Sequence, residues 1–362
     1  ASAFEVLILN LLNKLPDPED TPRFLLIDAL DEALALSGSS SSSLNLLDLL
    51  SARLAALPNW LKIVATTRDD PFVKRRFRTA DILPLDAATQ DNERDLRAYV
   101  SARLEAEPLF TKAGNRRREI GDKVLARGTG NFLVVAQTLD AVESGLLDAD
   151  DLDTLAPGLH PLYEGFFDRL YKRAGVDFAP ARLLLQCILA SQEPPLREEL
   201  AAVTGLDAET DLPPMLARLA SMVPPRNARY SPYHKTLTEW LTGWNGQEDQ
   251  PIAGEYYISL KKGHRLWADF LLRRYRKSPE AWNAQLRRYL PTHLAGAGLW
   301  DEVADVLLDL SFLEAKIHGP ETNVFDIVAD FESFLAQLPE DHAKRRLLFL
   351  VSEILRLDAA FL

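Results

Sequence analysis

Short, continuous apolar runs set the first 86 residues apart from the rest of the chain. The runs FLLI at 24–27 and LKIVA at 61–65 are too short for helices and are typical of strands buried on both faces. Each run ends in polar residues, and a third short strand is predicted at DILPL, residues 81–85. Strand, helix and strand in this order predict a parallel α/β sheet with its strand ends at a common edge. Around these runs, residues 2–14 are predicted as a helix, residues 38–43 as a flexible loop, and residues 44–57 as a second helix.

From residue 87 onward, apolar residues recur with helical spacing and strand signals nearly vanish. DDLDTLAPG at 150–158 is predicted as a linker. A winged-helix module is suggested by the order of the elements that follow: three helices, then two short extended pieces, then a closing helix in YSPYHKTLTEWL. Residues 253–362 are predicted as helical pairs, with two helices broken at Gly298, which resembles helical-repeat packing without a strict period. The other helices are predicted at 91–106, 116–127, 131–144, 160–173, 180–190, 195–203 and 211–222.

Composition narrows the classes of function. The 362 residues are 47% hydrophobic and 26% charged with a formal net charge of -12, which fits an ordinary soluble protein and argues against broad nucleic-acid binding. The single cysteine, Cys187, cannot form an internal disulfide, which favours a reducing, cytoplasmic setting. No stretch approaches the about 18–20 apolar residues of a membrane span. The histidines show no zinc-binding spacing, and no nucleophile elbow occurs.

In the segment FLLIDALDEA, three acidic residues, Asp28, Asp31 and Glu32, follow an apolar strand. A buried carboxylate is costly unless it meets a cation or hydrogen-bond donors, so these acids are either a solvated turn or part of a site. An apolar strand that ends in Asp, with an acid pair three and four residues later, resembles the Walker B segment of P-loop NTPases. In that reading Asp28 would hold Mg²⁺, and Asp31 or Glu32 would reach the water that attacks the γ-phosphate.

The second apolar strand ends in VATTRDD, which places Arg68 at the same edge of the predicted sheet as Asp28. A guanidinium there could neutralise γ-phosphate oxygens, or could pair on the surface with Asp69 or Asp70. The two segments together, in this order, resemble the Walker B and sensor-1 segments of the STAND class of signalling NTPases, in particular the NACHT and NB-ARC (AP-ATPase) groups.

The resemblance extends over most of residues 1–245. ARGTGNFLVVAQ is similar to the helical-lid segment of the class, where a Gly-containing turn lies near the adenine side of the site, and this implies nucleotide contacts for Gly130 and Asn131. Relatives carry a proline where this chain has Phe132, so their proline–base contact is not implied. His234 matches a histidine that touches the β-phosphate of ADP in relatives; the alternative is a helix-boundary residue.

One element of the class is absent from the sequence. A P-loop requires G-x-x-x-x-G-K-[ST], and no glycine in the 362 residues is followed by lysine. In the class this element precedes Walker B, so we expect it upstream of the given residues. The alternative is a protein that has lost the P-loop and uses the fold as a scaffold. The chain as given is not expected to hold a nucleotide tightly or to hydrolyse it.

The expected fold is therefore α/β followed by mostly α. It comprises the C-terminal part of a parallel-sheet P-loop NTPase core, a helical lid, a winged-helix domain and a helical repeat-like region. These domains are predicted at 1–86, 87–158, 159–245 and 246–362.

The resemblance implies a cytoplasmic signalling switch in innate immunity, cell death or antiphage defence. ADP would keep the protein closed, and a protein or ligand stimulus at a C-terminal sensor would allow exchange for ATP, opening and self-association. Slow ATP hydrolysis with Mg²⁺ would reset the intact protein. The alternative is a non-catalytic scaffold with a degenerate NTPase core that binds protein partners. A winged-helix transcription regulator is the weaker alternative, because the helix predicted at 195–203 is acidic.

Overall fold

The computed structural model describes residues 8–18, 21–35, 46–246, 249–277, 282–322 and 324–358. The chain forms two compact units, one of Ala1–Pro84 with Val328–Arg356, the other of Leu85–Ile327 with Leu357–Leu362. The described residues are mostly helical and contain three two-stranded sheets. The loop predicted at 38–43 and the first part of the helix predicted at 2–14 lie outside the described residues.

Two parallel strands form the sheet of the first unit. β1 (Arg23–Ile27) pairs with β2 (Leu61–Ala65) in a register that puts Ile27 beside Ala65, so the predicted pair of parallel strands is confirmed. One face of the sheet packs on a small core made of Leu30, Leu47, Leu50 and Val73. The helices between residues 8 and 84 are α1 (Asn10–Leu12), α2 (Glu32–Ala35), α3 (Leu46–Arg53) and α4 (Pro71–Arg76).

The opposite face of this sheet is exposed and mostly apolar, with Lys62 beside Phe24. Phe24, Leu26 and Val64 are 59%, 73% and 48% exposed, and alternate residues of a strand point to the same face. The prediction of a third strand at 81–85 is wrong, because the segment is irregular and Leu83 is 84% exposed. A strand needs a neighbour to pair its backbone groups, and Pro84 has no N–H to donate.

The remaining helices confirm most of the predicted helical segments to within one or two residues. The linker predicted at 150–158 contains a short helix, and the helix predicted at 160–173 changes to a π-helical turn at Asp168–Lys172. The helices are α5 (Gln90–Glu105), α6 (Leu109–Ala113), α7 (Arg117–Gly128), α8 (Phe132–Ser144), α9 (Asp151–Thr154), α10 (Leu159–Phe167), α11 (Ala179–Ala190), α12 (Arg197–Thr204), α13 (Leu212–Arg218), α14 (Lys235–Thr242), α15 (Leu260–Tyr275), α16 (Ala284–Ala297), α17 (Trp300–Leu307), α18 (Leu310–Ile317), α19 (Val324–Gln337) and α20 (Arg345–Asp358).

The segment from α11 to α14 has the predicted order of three helices, two short strands and a closing helix. β3 (Pro225–Arg226) and β4 (Arg229–Tyr230) form an antiparallel pair, and Leu196 bridges to the second of these strands. A further short pair, β5 (Trp244–Asn245) and β6 (Gln250–Pro251), follows α14. The core here is aromatic: the fully buried ring of Phe167 contacts the rings of Tyr171, Phe178, Trp240 and Tyr256.

Helices α15 to α18 follow one another closely. The sequence predicted two helices broken at Gly298, whereas the structure has three, since Gly298 ends α16 with φ of 74° and Asp309 caps α18 by accepting the N–H of Ser311 at 2.9 Å. The buried Trp267 on α15 donates its indole N–H to the carbonyl of Cys187 on α11 at 2.9 Å. Every helix in the described ranges is too short or too polar to cross a membrane.

Candidate functional site

The carboxyl ends of β1 and β2 bring together five polar residues, Asp28, Asp31, Glu32, Thr66 and Arg68, which we call the strand-tip site. The register that pairs Ile27 with Ala65 places Asp28 beside Thr66. The Thr66 hydroxyl donates to the Asp28 carboxylate and its oxygen accepts the Ala29 backbone N–H at 2.9 Å. Thr66 therefore fixes one oxygen of an otherwise exposed Asp28 carboxylate.

The turn after Asp28 is conformationally strained. Ala29 has a φ of 50°, a left-handed conformation that costs a residue with a Cβ about 1 kcal/mol or more. Two interactions hold the turn: the Leu30 N–H donates to the Thr66 carbonyl at 2.8 Å, and the Leu30 side chain is buried in the small core. Strain of this kind is common where a chain must present side chains to a ligand.

Asp31 and Arg68 contact each other across the strand-tip site. One Asp31 oxygen accepts the Arg68 backbone N–H at 3.0 Å, and the other lies 3.7 Å from the Arg68 Nε. The Asp31 side chain is 12% exposed and the Arg68 side chain 56% exposed. Asp31 thus ties the two strand ends together, while the guanidinium reaches solvent.

Neighbouring acids on the second strand end have other contacts. Asp69 pairs with Lys74, and the Asp70 carboxylate caps α4 by accepting the N–H groups of Phe72 and Val73 at 2.7 and 3.3 Å. Arg68 contacts Asp31, an acid that follows the other strand.

The donor set fits a magnesium ion in one specific sense. Among the described residues, no three His, Cys, Asp or Glu side chains are grouped as a metal site. Mg²⁺ in nucleotide sites usually takes only one or two carboxylates, with substrate phosphates and water as the other ligands. Asp28 could supply the one carboxylate that such a magnesium ion needs. The other ligands would be water and the phosphates of a bound nucleotide.

The turn that carries Gly130 and Asn131 lies in the second unit. Gly130 has a φ of 83°, and a Cβ there would lie 2.5 Å from the Ala87 carbonyl oxygen. Asn92 donates to the carbonyl oxygens of Ala87 and Gly130 at 2.9 and 2.8 Å. The Asn131 side chain caps α8 by accepting the Leu133 N–H at 2.8 Å. Both residues thus shape the turn, and the Asn131 side-chain oxygen is occupied by the helix end.

A cleft of about 550 Å³ opens beside this turn. Its wall includes Thr89, the N-cap residue of α5, Arg97 from the middle of α5, Asp122 from α7, and Thr129 with Gly130 from the turn. Its lining carries charged groups of both signs, among them Arg97 and Asp122.

His234 is the N-cap residue of α14. Its ring Nδ1 accepts the Thr236 backbone N–H at 3.2 Å and lies 2.9 Å from the Thr236 hydroxyl. Since Nδ1 is an acceptor, the neutral ring carries its proton on Nε2. The helix-boundary interpretation of His234 is confirmed, and it leaves the Nε2–H as the group that could donate to a ligand.

In the first unit, as the strand order predicts, the structure brings Asp31 into contact with Arg68 and Asp28 into contact with Thr66. Glu32 follows Asp31 at the start of α2. Gly130, Asn131 and His234 belong to the second unit and occupy two separate turns within it. Sequence reasoning missed the bridging role of Thr66. The sequence did offer one signal for this role: Thr66 directly follows β2, as Asp28 directly follows β1.

Comparison of the chain with models of known protein families finds no match, and comparisons with curated proteins and with solved structures find none either.

Proposed function

We propose that this chain is part of a cytoplasmic, nucleotide-dependent signalling switch of the STAND type. One observation carries the proposal: Asp28 directly follows one of two adjacent parallel strands, and Arg68 follows the other by three residues. Two contacts join these strand ends, from Thr66 to Asp28 and from the Arg68 N–H to Asp31. In parallel α/β sheets ligands bind at this edge, so the arrangement supports a site for the polyphosphate of a nucleotide.

The contacts favour a division of roles among the acids. Asp28, with one oxygen fixed by Thr66, would hold Mg²⁺. Asp31 uses both oxygens on Arg68, so its role would be to position the arginine. Glu32, exposed at the start of α2, is then the better candidate to orient the attacking water. Arg68 would stabilise the charge of the γ-phosphate.

Under this proposal the phosphate cradle would be supplied by residues other than these 362, because no glycine among them is followed by lysine. Two features support an incomplete core: the apolar outer face of the two-stranded sheet, and the exposed apolar residues of the segment at 81–85. Parallel sheets are ordinarily covered on both faces. A further strand and helix would bury these residues and supply the missing loop.

The second unit would provide the regulated half of the switch. The helices α5 to α8 correspond to the proposed lid, and the segment from α11 to α14 to the proposed winged-helix domain. ADP held through the Nε2–H of His234 would keep the protein closed. A stimulus acting on the C-terminal helices would release that contact, allow ATP exchange and permit self-association. Such a switch requires the nucleotides to differ in affinity for the two states by several kcal/mol.

A non-catalytic scaffold is the second candidate, and the absence of a P-loop in the sequence favours it. In that case the strand-tip contacts between Asp31 and Arg68 would serve only to hold the fold. The helical surfaces would then bind protein partners without nucleotide.

Mg²⁺-dependent ATP turnover by the full-length protein separates the two candidates. Asp28→Ala should abolish turnover, because the carboxylate that would hold the metal is lost. Asp81→Ala removes an exposed acid from the irregular segment and should leave turnover unchanged. Turnover that is absent in the unaltered protein, or equal in the unaltered protein and Asp28→Ala, would favour the scaffold.

A further inference from the structure

Hydroxyl groups of three residues form a chain of hydrogen bonds that ends on the His234 ring. Tyr233 donates to the hydroxyl oxygen of Tyr163 at 2.7 Å, and Tyr163 lies 2.7 Å from the Thr236 hydroxyl. The Thr236 hydroxyl in turn lies 2.9 Å from His234 Nδ1. We call Tyr233, Tyr163 and Thr236 the hydroxyl chain.

The direction of every hydrogen bond in the hydroxyl chain follows from one contact. Nδ1 accepts the Thr236 backbone N–H, so it has no proton to give. In this arrangement the Thr236 hydroxyl is the donor in its contact with Nδ1 and shares the single lone pair of Nδ1 with the backbone N–H. Its oxygen is then left to accept from Tyr163. Tyr163 in turn accepts from Tyr233. All donors point toward His234 and hold its proton on Nε2.

Burial keeps the donors of the hydroxyl chain protonated. The Tyr163 ring is fully buried and lies 5.6 Å from the Trp240 ring. Desolvation raises the pKa of Tyr163, and it also raises the pKa of Tyr233. Neither phenol loses its proton at physiological pH, so the direction of donation is stable.

The hydroxyl chain joins two separate elements. Tyr163 lies on α10, whereas Thr236 and His234 belong to the start of α14, and 70 or more positions separate the partners along the sequence. α10 begins after Gly158, whose φ is 105°, and passes into a π-helical turn at Asp168–Lys172. Such turns are frequent at functional positions of helices. A displacement of α10 would carry the Tyr163 hydroxyl away from Thr236.

We propose that Tyr163 and Thr236 are positioning residues that couple the seating of α10 to the ring of His234. When α10 is seated, the hydroxyl chain adds to the Thr236 backbone N–H in favouring the Nε2–H form of the ring. Resting on the proposed function, this form is the one that donates to a phosphate oxygen of ADP. Movement of α10 would remove the donor behind the Thr236 hydroxyl. That loss would weaken the preference for the Nε2–H form and, with it, the hold on the nucleotide.

The tautomer of His234 can be measured without nucleotide, by ¹⁵N chemical shifts of histidine-labelled chain at a pH well above the ordinary imidazole pKa of about 6.5. Thr236→Val keeps the backbone N–H donor to Nδ1 and removes the hydroxyl donor. It should therefore raise the ratio of the Nδ1–H to the Nε2–H form about fivefold, the size of one net hydrogen bond. Tyr163→Phe should shift the ratio the same way by less, because it removes only the donor behind Thr236.

Tyr171→Phe is the matched control. The Tyr171 hydroxyl is also buried, and within the described residues it has no hydrogen-bond partner. Its removal should leave the ratio unchanged, and Thr236→Ser, which keeps a hydroxyl, should keep the ratio of the unaltered chain. An unchanged ratio in both Thr236→Val and Tyr163→Phe, or an equal shift in Tyr171→Phe, overturns the coupling.

ADP content of the full-length protein tests the nucleotide role separately. Reduced ADP retention in Thr236→Val and Tyr163→Phe supports both inferences. A shifted tautomer with unchanged ADP retention contradicts the role of His234 in nucleotide binding, while the coupling between α10 and His234 stands.

Discussion

The strand-tip site and the hydroxyl chain position polar groups by different means. In the strand-tip site the groups are largely exposed, and a short parallel ladder together with Thr66 and Asp31 holds them in place. In the hydroxyl chain a fully buried tyrosine lies within an aromatic core. Polar groups that the strand register holds at the surface are accessible to a ligand. Hydroxyl groups packed inside a core are suited to transmit the movement of one helix to another. If the proposed function holds, chemistry and regulation occupy differently built parts of this chain.

The largest expected difference between the two regions is in packing. Phe167→Ala removes a fully buried ring that contacts four aromatic neighbours, and should lower the free energy of unfolding by about 3–5 kcal/mol. Phe24→Ala, on the outer face of the sheet, removes a ring that is 59% exposed and should cost less than about 1 kcal/mol. Urea denaturation measures both. Equal losses would show that the outer face of the sheet is covered in solution.

Acidification should distinguish the regions through a half-buried histidine on α15, His264, and a buried one on α16, His293. Nδ1 of His264 lies 3.1 Å from Nδ1 of His293, whose ring stacks on Trp267. Burial, with His264 adding to it, lowers the pKa of His293 to about 3, and burial also lowers the pKa of His264. Below the unfolded value of about 6.5 the unfolded chain binds protons that the folded chain does not. Stability is therefore full above that pH and falls as the pH decreases toward 3.

For His293 alone the loss approaches about 1.4 kcal/mol for each pH unit below about 6.5. The measurement is urea denaturation across this range. His293→Gln should flatten the slope, and His318→Gln, which changes an exposed histidine, should keep the slope of the unaltered chain. His293 lies in the second unit, so the difference in slope between the unaltered chain and His293→Gln reports that unit. Identical slopes in the unaltered chain and His293→Gln would contradict the buried neutral pair.

The smallest expected effect concerns the acids of the strand-tip site. Asp31→Ala removes the acceptor for the Arg68 N–H and should lower the free energy of unfolding by about 1 kcal/mol. The control, Asp69→Ala, breaks an ion pair whose aspartate is 81% exposed and should cost less than about 0.5 kcal/mol. Denaturant unfolding measured for both variants decides the matter. If Asp69→Ala costs as much as Asp31→Ala, the contact between Asp31 and Arg68 has no special part in holding the strand ends.

Much of the fold was predictable because helical spacing is a local signal. The segments 91–106 and 131–144 became helices with bounds shifted by one residue. The segment at 81–85 was wrong as a strand, because strand formation depends on a partner strand that the local pattern does not reveal.

The candidate site was predictable in part for the same reason. The proximity of Asp28 and Arg68 follows from two parallel strands ending at one edge. The hydrogen bond from the Arg68 N–H to Asp31 depends on the left-handed turn at Ala29. No sequence pattern predicts that turn. The contact between Tyr163 and Thr236 joins residues 73 positions apart and arises only from the packing of α10 on α14.

The nucleotide that co-purifies with the full-length protein tests the central claim most directly. The account predicts ADP or ATP in an amount close to one per chain, lost on treatment with a magnesium chelator and lost in Asp28→Ala but not in Asp81→Ala. Full-length protein that is folded and free of nucleotide, and that binds neither ADP nor ATP in the presence of Mg²⁺, would contradict it.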